Sequence, residues 1–179
     1  MRIRIARGIL VGALVMLTLV AASGCSGKYQ AVNSKSPVFS SSAHGFSIRF
    51  PGKPSVHTFD NGDIDVSYRT GVSDYSVIAS TIEEVPTRDQ IQDAYDLALD
   101  KVGKTVGAHA TNRIATTIDG LVAAHAVVVG GKVRTLWEYS IVFCGANVYQ
   151  FNTYGVRPSD TQNFLDGMHI VGKTADGCK

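Results

Sequence analysis

Two sets of residues in this chain carry chemistry by type and spacing. The first is the run GMHIVGKT, Gly167–Thr174, which satisfies the phosphate-binding pattern G-x-x-x-x-G-K-[ST]. A working loop of that kind needs a buried strand before its glycines and a helix after them, because loop amides and the helix N-terminus hold the phosphates. Here a short helical pattern with Phe164 and Leu165 comes first, and only ADGCK follows Thr174. No nucleotide is expected, and the run reads as the last apolar edge of a domain. The second set is the three cysteines, Cys25, Cys144 and Cys178. Outside a reducing cytoplasm Cys144 and Cys178 can form a disulfide. It would tie the C-terminal tail to a strand, with a loop-closure contribution of roughly 3–4 kcal/mol. The alternative is a buried free thiol at Cys144 and a tail thiol at Cys178.

Other reactive types lack a productive pattern. Of the histidines His44, His57, His109, His125 and His169, no two sit at the i,i+4 spacing of a helical zinc pair, so no metal is expected. His125 lies in an apolar strand and reads as a hydrogen-bonded structural histidine. No G-x-S-x-G elbow is present, and Ser73 and Asp74 read as turn residues. Glu83 and Glu84 are adjacent on an extended segment and diverge to opposite faces. The run DNGDID lacks the order of a calcium loop; Asn61-Gly62 reads as a turn. Asp89, Asp93, Asp96 and Asp100 fall at helical spacing opposite an apolar stripe. They are either a docking face for a cationic partner or the solvated back of a helix. No catalytic residue is assigned and no cofactor is expected.

The N-terminus speaks to location. Arg2, Arg4 and Arg7 precede an apolar run from Ile9 to Ala22. At about 14 residues that run is short for a membrane span, which needs roughly 20; a basic start, a short apolar segment and small residues make a secretory signal. In AASGCSGK, Ala22, Ser23 and Gly24 stand directly before Cys25. This resembles the lipobox of bacterial lipoproteins, although Ala22 stands where Leu is usual. The resemblance implies cleavage after Gly24 by signal peptidase II, a diacylglyceryl group on the Cys25 thiol and N-acylation of the new terminus. It places the protein on the extracytoplasmic face of a cell membrane, held by lipid. The whole chain carries 17 Lys+Arg against 15 Asp+Glu. Three arginines leave with residues 1–24, so the mature balance is 14 against 15. The basicity belongs to the leader, and nucleic acid is not an expected partner.

Those groups need a scaffold. Residues 25–42, rich in Ser, read as a flexible tether, and residues 43–179 as a single domain. Phe46, Ile48 and Phe50 alternate with Ser47 and Arg49; Ile64, Val66 and Tyr68 alternate with Asp65, Ser67 and Arg69. Both patterns predict half-buried strands. YSVIASTIEEV is a third strand with no clear apolar face. Thr87 with Gln90 makes a capping-box pattern, and Ile91, Tyr95, Ala98 and Val102 predict a helix that Gly103 or Gly107 ends. Strands return around hairpin signals at Asp119-Gly120 and Gly130-Gly131. Val133, Trp137, Tyr139, Ile141 and Phe143 share one strand face, with Arg134, Glu138 and Ser140 opposite. VYQFNTYG, with Tyr149 and Phe151, follows. Ser159 with Gln162 then predicts the cap of a short helix, and MHIVG a brief last strand. Hairpins with two inserted helices predict an antiparallel sheet covered by helices, an α+β domain. The element order, with FSIRFPGKP at the start and VYQF…FLDGMHI at the end, resembles the PsbP/Mog1-like α+β domains. That resemblance implies a non-catalytic interaction or assembly module and transfers no functional residue. Two other readings compete: a carrier holding a lipid or other hydrophobic ligand among Trp137, Tyr139, Phe143, Tyr149 and Phe151, and an envelope enzyme whose site is assembled from distant residues.

Overall fold

The computed structural model describes residues 29–87, 89–130, 137–174 and 177–178. Seven strands form one antiparallel sheet: β3 (Ser55–Thr58), β4 (Ile64–Arg69), β5 (Asp74–Thr81), β6 (Ala108–Ile118), β7 (Leu121–Gly130), β8 (Trp137–Cys144) and β9 (Asn147–Tyr154). Their spatial order is β3-β4-β5-β9-β8-β7-β6. Helix α1 (Ile91–Val106) enters between β5 and β6, and α2 (Pro158–Asp166) follows β9. A three-stranded sheet joins β1 (Val38–Ser41), β2 (Phe46–Arg49) and β10 (His169–Ile170) in the order β1-β2-β10. A two-stranded ribbon of β11 (Lys173–Thr174) and β12 (Gly177–Cys178) ends the described chain.

The sheet has two covered faces and therefore two cores. On one face α1 lays Ala94, Tyr95, Ala98 and Leu99 against Ala124 and Ala126 of β7 and Tyr139, Ile141 and Phe143 of β8. On the other, the small sheet and α2 bring Phe46, Ile48, Phe50, Phe164 and Leu165 onto Val66, Val77, Tyr149 and Phe151. A central strand covered on both sides has no polar face, which is why β5 resists a period-two reading. Tyr75, Val77 and Ala79 enter the second core, while the intervening Ser76 and Ile78 are also buried.

Several expectations need correction. The segment read as a tether, residues 25–42, joins the fold from Tyr29 onward. Val32 is 5% exposed inside the second core, and β1 pairs with β2 along Val38↔Arg49 to Ser41↔Phe46. Composition misled because few large apolar residues are needed when the pairing is to backbone. Of the β8 face expected to be polar, Glu138 and Ser140 are buried; Arg134 lies outside the described residues, as do Val133 and Gly131 of the second hairpin signal. Thr87 does bond Gln90, through its backbone N–H and its hydroxyl, but Gln90 itself occupies the cap position of α1. For α2 the cap is Arg157, not Ser159. Pro158, with its preset φ and no N–H to satisfy, opens the helix two residues earlier than a Ser159 cap would. Helix α1 ends at Gly107, in the left-handed region at φ 66°. The first hairpin turn forms as expected, with Asp119 at φ 50° and Gly120 at φ 79°.

Candidate functional site

Helix α1 carries most of the expected acidic face. Its apolar side is spent on the sheet, so the aspartates face outward. Asp93 and Asp100 are exposed and Asp96 is half-buried. Asp89 is exposed but precedes the helix, in the turn before Gln90. The four do not act as one stripe. Arg113, from β6, reaches across to Asp96 at 3.4 Å and also bonds Asp100. That contact holds the Asp100 carboxyl below its ordinary range, through the hydrogen bond first and the guanidinium charge second. Asp89 and Asp93, at the N-terminal end of the helix, lie beyond the two aspartates that Arg113 takes.

A serine, a histidine and a glutamate meet on the opposite face of the sheet. Register places His125 beside Ser140, and Glu138 beside both Val127 and Thr153. His125 Nδ1 lies 2.9 Å from Ser140 Oγ, and its Nε2 lies 3.9 Å from Glu138 Oε2. The set has the residue types of a nucleophile, a base and an orienting acid. Ser140, however, is 2% exposed, so its hydroxyl is directed to the imidazole rather than to a substrate. Burial lowers the His125 pKa, against the opposing pull of Glu138. His125 is thus a hydrogen-bonded structural histidine, as its apolar strand suggested. Among the described residues no group of three or more His, Cys, Asp or Glu side chains is placed to hold a metal ion.

A second polar cluster spans β4 and β5. Arg69 lies 2.8 Å from Asp74 and 3.8 Å from Asp65. Burial pushes the Asp74 pKa up to about 6 against the pull of Arg69, and it raises Asp65 as well. One oxygen of each carboxylate, Oδ1, is buried without a hydrogen bond. Periodicity placed Asp65 and Arg69 on one strand face, but Asp74, read as a turn residue, opens β5; nothing in the sequence signals the triplet.

The C-terminal run with the phosphate-loop pattern is occupied structurally. Met168 and Ile170 are buried, and β10 pairs with β2. Asp119 accepts a hydrogen bond from the Ile170 N–H at 2.7 Å, and its carbonyl accepts one from Lys173 Nζ at 2.7 Å. Lys173, the residue the pattern would offer to phosphate, also pairs with the Asp119 carboxylate. Burial alone would raise Asp119, but the Ile170 N–H and Lys173 hold its pKa below the ordinary value. Cys144 and Cys178 are bridged, with Cα atoms 4.8 Å apart, so the tail closes over one end of the second core.

The aromatic residues expected to line a carrier's cavity are packed against other rings. Phe143 lies 5.2 Å from Tyr95, Tyr149 5.5 Å from Phe46 and Phe151 6.3 Å from Phe164, centroid to centroid. Trp137 is half-buried against the first core, and Tyr139, 1% exposed, donates to Gln150.

At the N-terminal end of the described chain, Tyr29 and Gln30 clasp the domain. The Tyr29 hydroxyl bonds Asp160, and the Arg157 guanidinium lies over the Tyr29 ring at 5.2 Å. Tyr68 donates to the Gln30 side chain at 2.5 Å and Tyr75 to the Gln30 carbonyl at 3.2 Å. Cys25 and the preceding Ala22, Ser23 and Gly24 lie outside the described residues, and among those described no helix is long and apolar enough to cross a membrane.

No family model and no curated protein matches the chain. Solved structures do. The cyanobacterial PsbP protein (CyanoP) of Synechocystis superposes with a TM-score of 0.58 at 15% identity, over 80% of this chain and 94% of that one. The domain has a PsbP-like α+β fold. A Bacteroides thetaiotaomicron protein superposes with a TM-score of 0.51 at 10% identity, over 75% of this chain and 48% of that one. At these identities the likeness concerns the fold.

Proposed function

We propose that this chain is a lipid-anchored extracytoplasmic lipoprotein whose PsbP-like domain is a non-catalytic interaction module of the bacterial cell envelope. One observation carries the reading: of three cysteines, Cys144 and Cys178 bond to each other inside the domain, and the third, Cys25, follows a basic, apolar and then small-residue leader. An internal disulfide suits an oxidising compartment. The packed aromatic faces favour a module over a carrier, and the burial of Ser140 favours it over a hydrolase. Asp89 and Asp93 are the proposed contacts for a cationic patch on an envelope protein, with Asp96 and Asp100 sharing Arg113.

Thiol counting tests the anchor. After full reduction and unfolding, the protein purified from a bacterial host should yield two reactive thiols, because the Cys25 sulfur is in a thioether. Three thiols would overturn the lipoprotein reading. A palmitate analogue should label the chain and fail to label Cys25→Ser. For the module, a photo-reactive residue at Asp93 should give a discrete adduct in intact cells that Asp89→Lys weakens. An adduct yield no higher than from the same group at Thr117, or one that Asp89→Lys leaves unchanged, would remove the docking face.

A further inference from the structure

Among the described residues, exposed charges of opposite sign gather at the two ends of the large sheet's strands. Register runs straight across the large sheet: Arg69↔Asp74↔Tyr154↔Trp137↔Val128↔Ala110 marks one end. At that end lie the loops 50–54, 70–73 and 155–157 and the last turn of α1. The exposed cations at that end are Lys53, Lys104 and Arg157 of these segments and Arg69, the last residue of β4. The acids there, Asp74 and Asp160, bond Arg69 and Arg157 respectively. The opposite end follows the row Ile64↔Ala79↔Tyr149↔Val142↔Ala123. Beyond it Asp60, Glu83, Glu84, Asp89 and Asp93 are exposed, while the nearby Lys173 is held by Asp119. The mature chain is close to neutral, so this is a separation of charge rather than an excess.

The chain enters at the cationic end. Tyr29 is fixed there by Asp160 and Arg157, four residues after Cys25. Four extended residues span at most about 14 Å. A lipidated Cys25 sits at the bilayer surface, so the cationic end cannot stand far from it. We infer that this end, where Lys53 and Lys104 supply the surplus positive charge beside the ion-paired Arg69 and Arg157, and where Tyr29 and Val72 are partly exposed, docks on the anionic phospholipid surface next to the anchor. This inference rests on acylation of Cys25. The cations meet lipid phosphates within a Debye length of about 8 Å at physiological salt, and Tyr29 and the loop tip at Val72 meet the headgroup layer as amphipathic and apolar contacts. The strands then stand on the membrane. At about 3.3 Å per residue, the eight-residue β5, β8 and β9 lift the acidic end, with Asp89 and Asp93, roughly 25 Å above it.

The test uses the full-length acylated protein in vesicles. Amide hydrogen exchange is compared between bilayers of phosphatidylcholine alone and bilayers with 30% phosphatidylglycerol, by an arrangement chosen at roughly physiological salt. In the anionic vesicles residues 70–73 and 155–157 should gain protection, while residues 60–62 and 83–85 keep their rates. Each basic residue near such a surface changes the docked-to-undocked ratio roughly 5-fold, so Lys53→Glu with Lys104→Glu should lower it at least about 25-fold and abolish the protection. That pair leaves the Arg157–Tyr29 contact in place. If mass spectrometry finds no acyl group on Cys25, the lipoprotein reading fails. If the protein is acylated but both ends exchange alike in the two lipids, or the acidic end is the one protected, the docking inference fails by itself.

Discussion

Reduction of the Cys144–Cys178 bridge is expected to destabilise the domain without unfolding it. The two cysteines are 34 residues apart. For a loop of that length the chain-entropy model assigns the unfolded chain a loss of about 13 cal/mol/K, or about 4 kcal/mol at 25 °C. The native contacts of the tail do not depend on the bridge. Ile170 is 1% exposed, its N–H bonds Asp119, and β10 pairs with β2. The reduced protein should therefore keep its far-ultraviolet circular dichroism in buffer. With a urea m-value of about 2 kcal/mol/M the unfolding midpoint should fall by about 2 M when dithiothreitol is added. Cys144→Ala with Cys178→Ala should fall slightly further, by about 1 kcal/mol, because Cys144 is buried in the core and alanine leaves its sulfur volume empty. Adding dithiothreitol to the double variant should change nothing. A reduced wild-type midpoint within about 0.5 M of the oxidised one would refute the reasoning, since it would mean that the cross-link does not constrain the unfolded chain.

Three further outcomes follow from the same contacts. Val32→Ala should cost about 1–2 kcal/mol in urea unfolding, because Val32 is a core residue; a change near zero would restore the tether. Gly155→Ala should cost about 2–4 kcal/mol, since Gly155 sits at φ +63° and an added Cβ would lie 2.0 Å from the Val72 carbonyl oxygen. Gly62→Ala, at φ +87° with nothing within 4 Å, should cost only about 1 kcal/mol, and equal thermal shifts for the two would contradict the packing argument. Asp74 is a carboxyl whose folded pKa, about 6, lies above its ordinary value of 3.8. The folded state therefore holds the proton more tightly, and stability falls as pH rises from about 4 through 6, with the full penalty present above 6. The shift sets a ceiling of about 3 kcal/mol, reduced to about 1–2 by the solvent that reaches this part-exposed side chain. Asp74→Asn should flatten the profile between pH 4 and 7, and identical pH slopes for the two proteins would show that Asp74 is not its source.

The sequence by itself determined those elements whose apolar pattern repeats on one face. The alternation in Phe46–Phe50 and Ile64–Tyr68, the Ile91–Val102 stripe and the Asp119-Gly120 turn all announce their conformation, because burial on one side leaves a period and positive φ favours few residues. The α+β class follows from their order, while the pairing of Cys144 with Cys178, left open against two free thiols in the sequence, is settled by the fold. Tertiary structure decided the rest. Strand β3 is exposed along its whole length and carries no period. Strand β1 owes its place to backbone pairing with β2 and to Phe39 against Phe46 and the second core, too little to leave a period. Glu138 and Ser140 look like a solvent face, yet both are buried in the fold, beside His125. The Arg113 bridge to Asp96 and Asp100, the Arg69 cluster and the seat of Tyr29 on Asp160 join residues 13 to 131 positions apart or on different strands. Local propensity does not encode such contacts. Only the folding of the sheet brings the N-terminal clasp, the cationic loops and the start of α2 to one end of the strands, and so converts a nearly neutral composition into a polarised molecule.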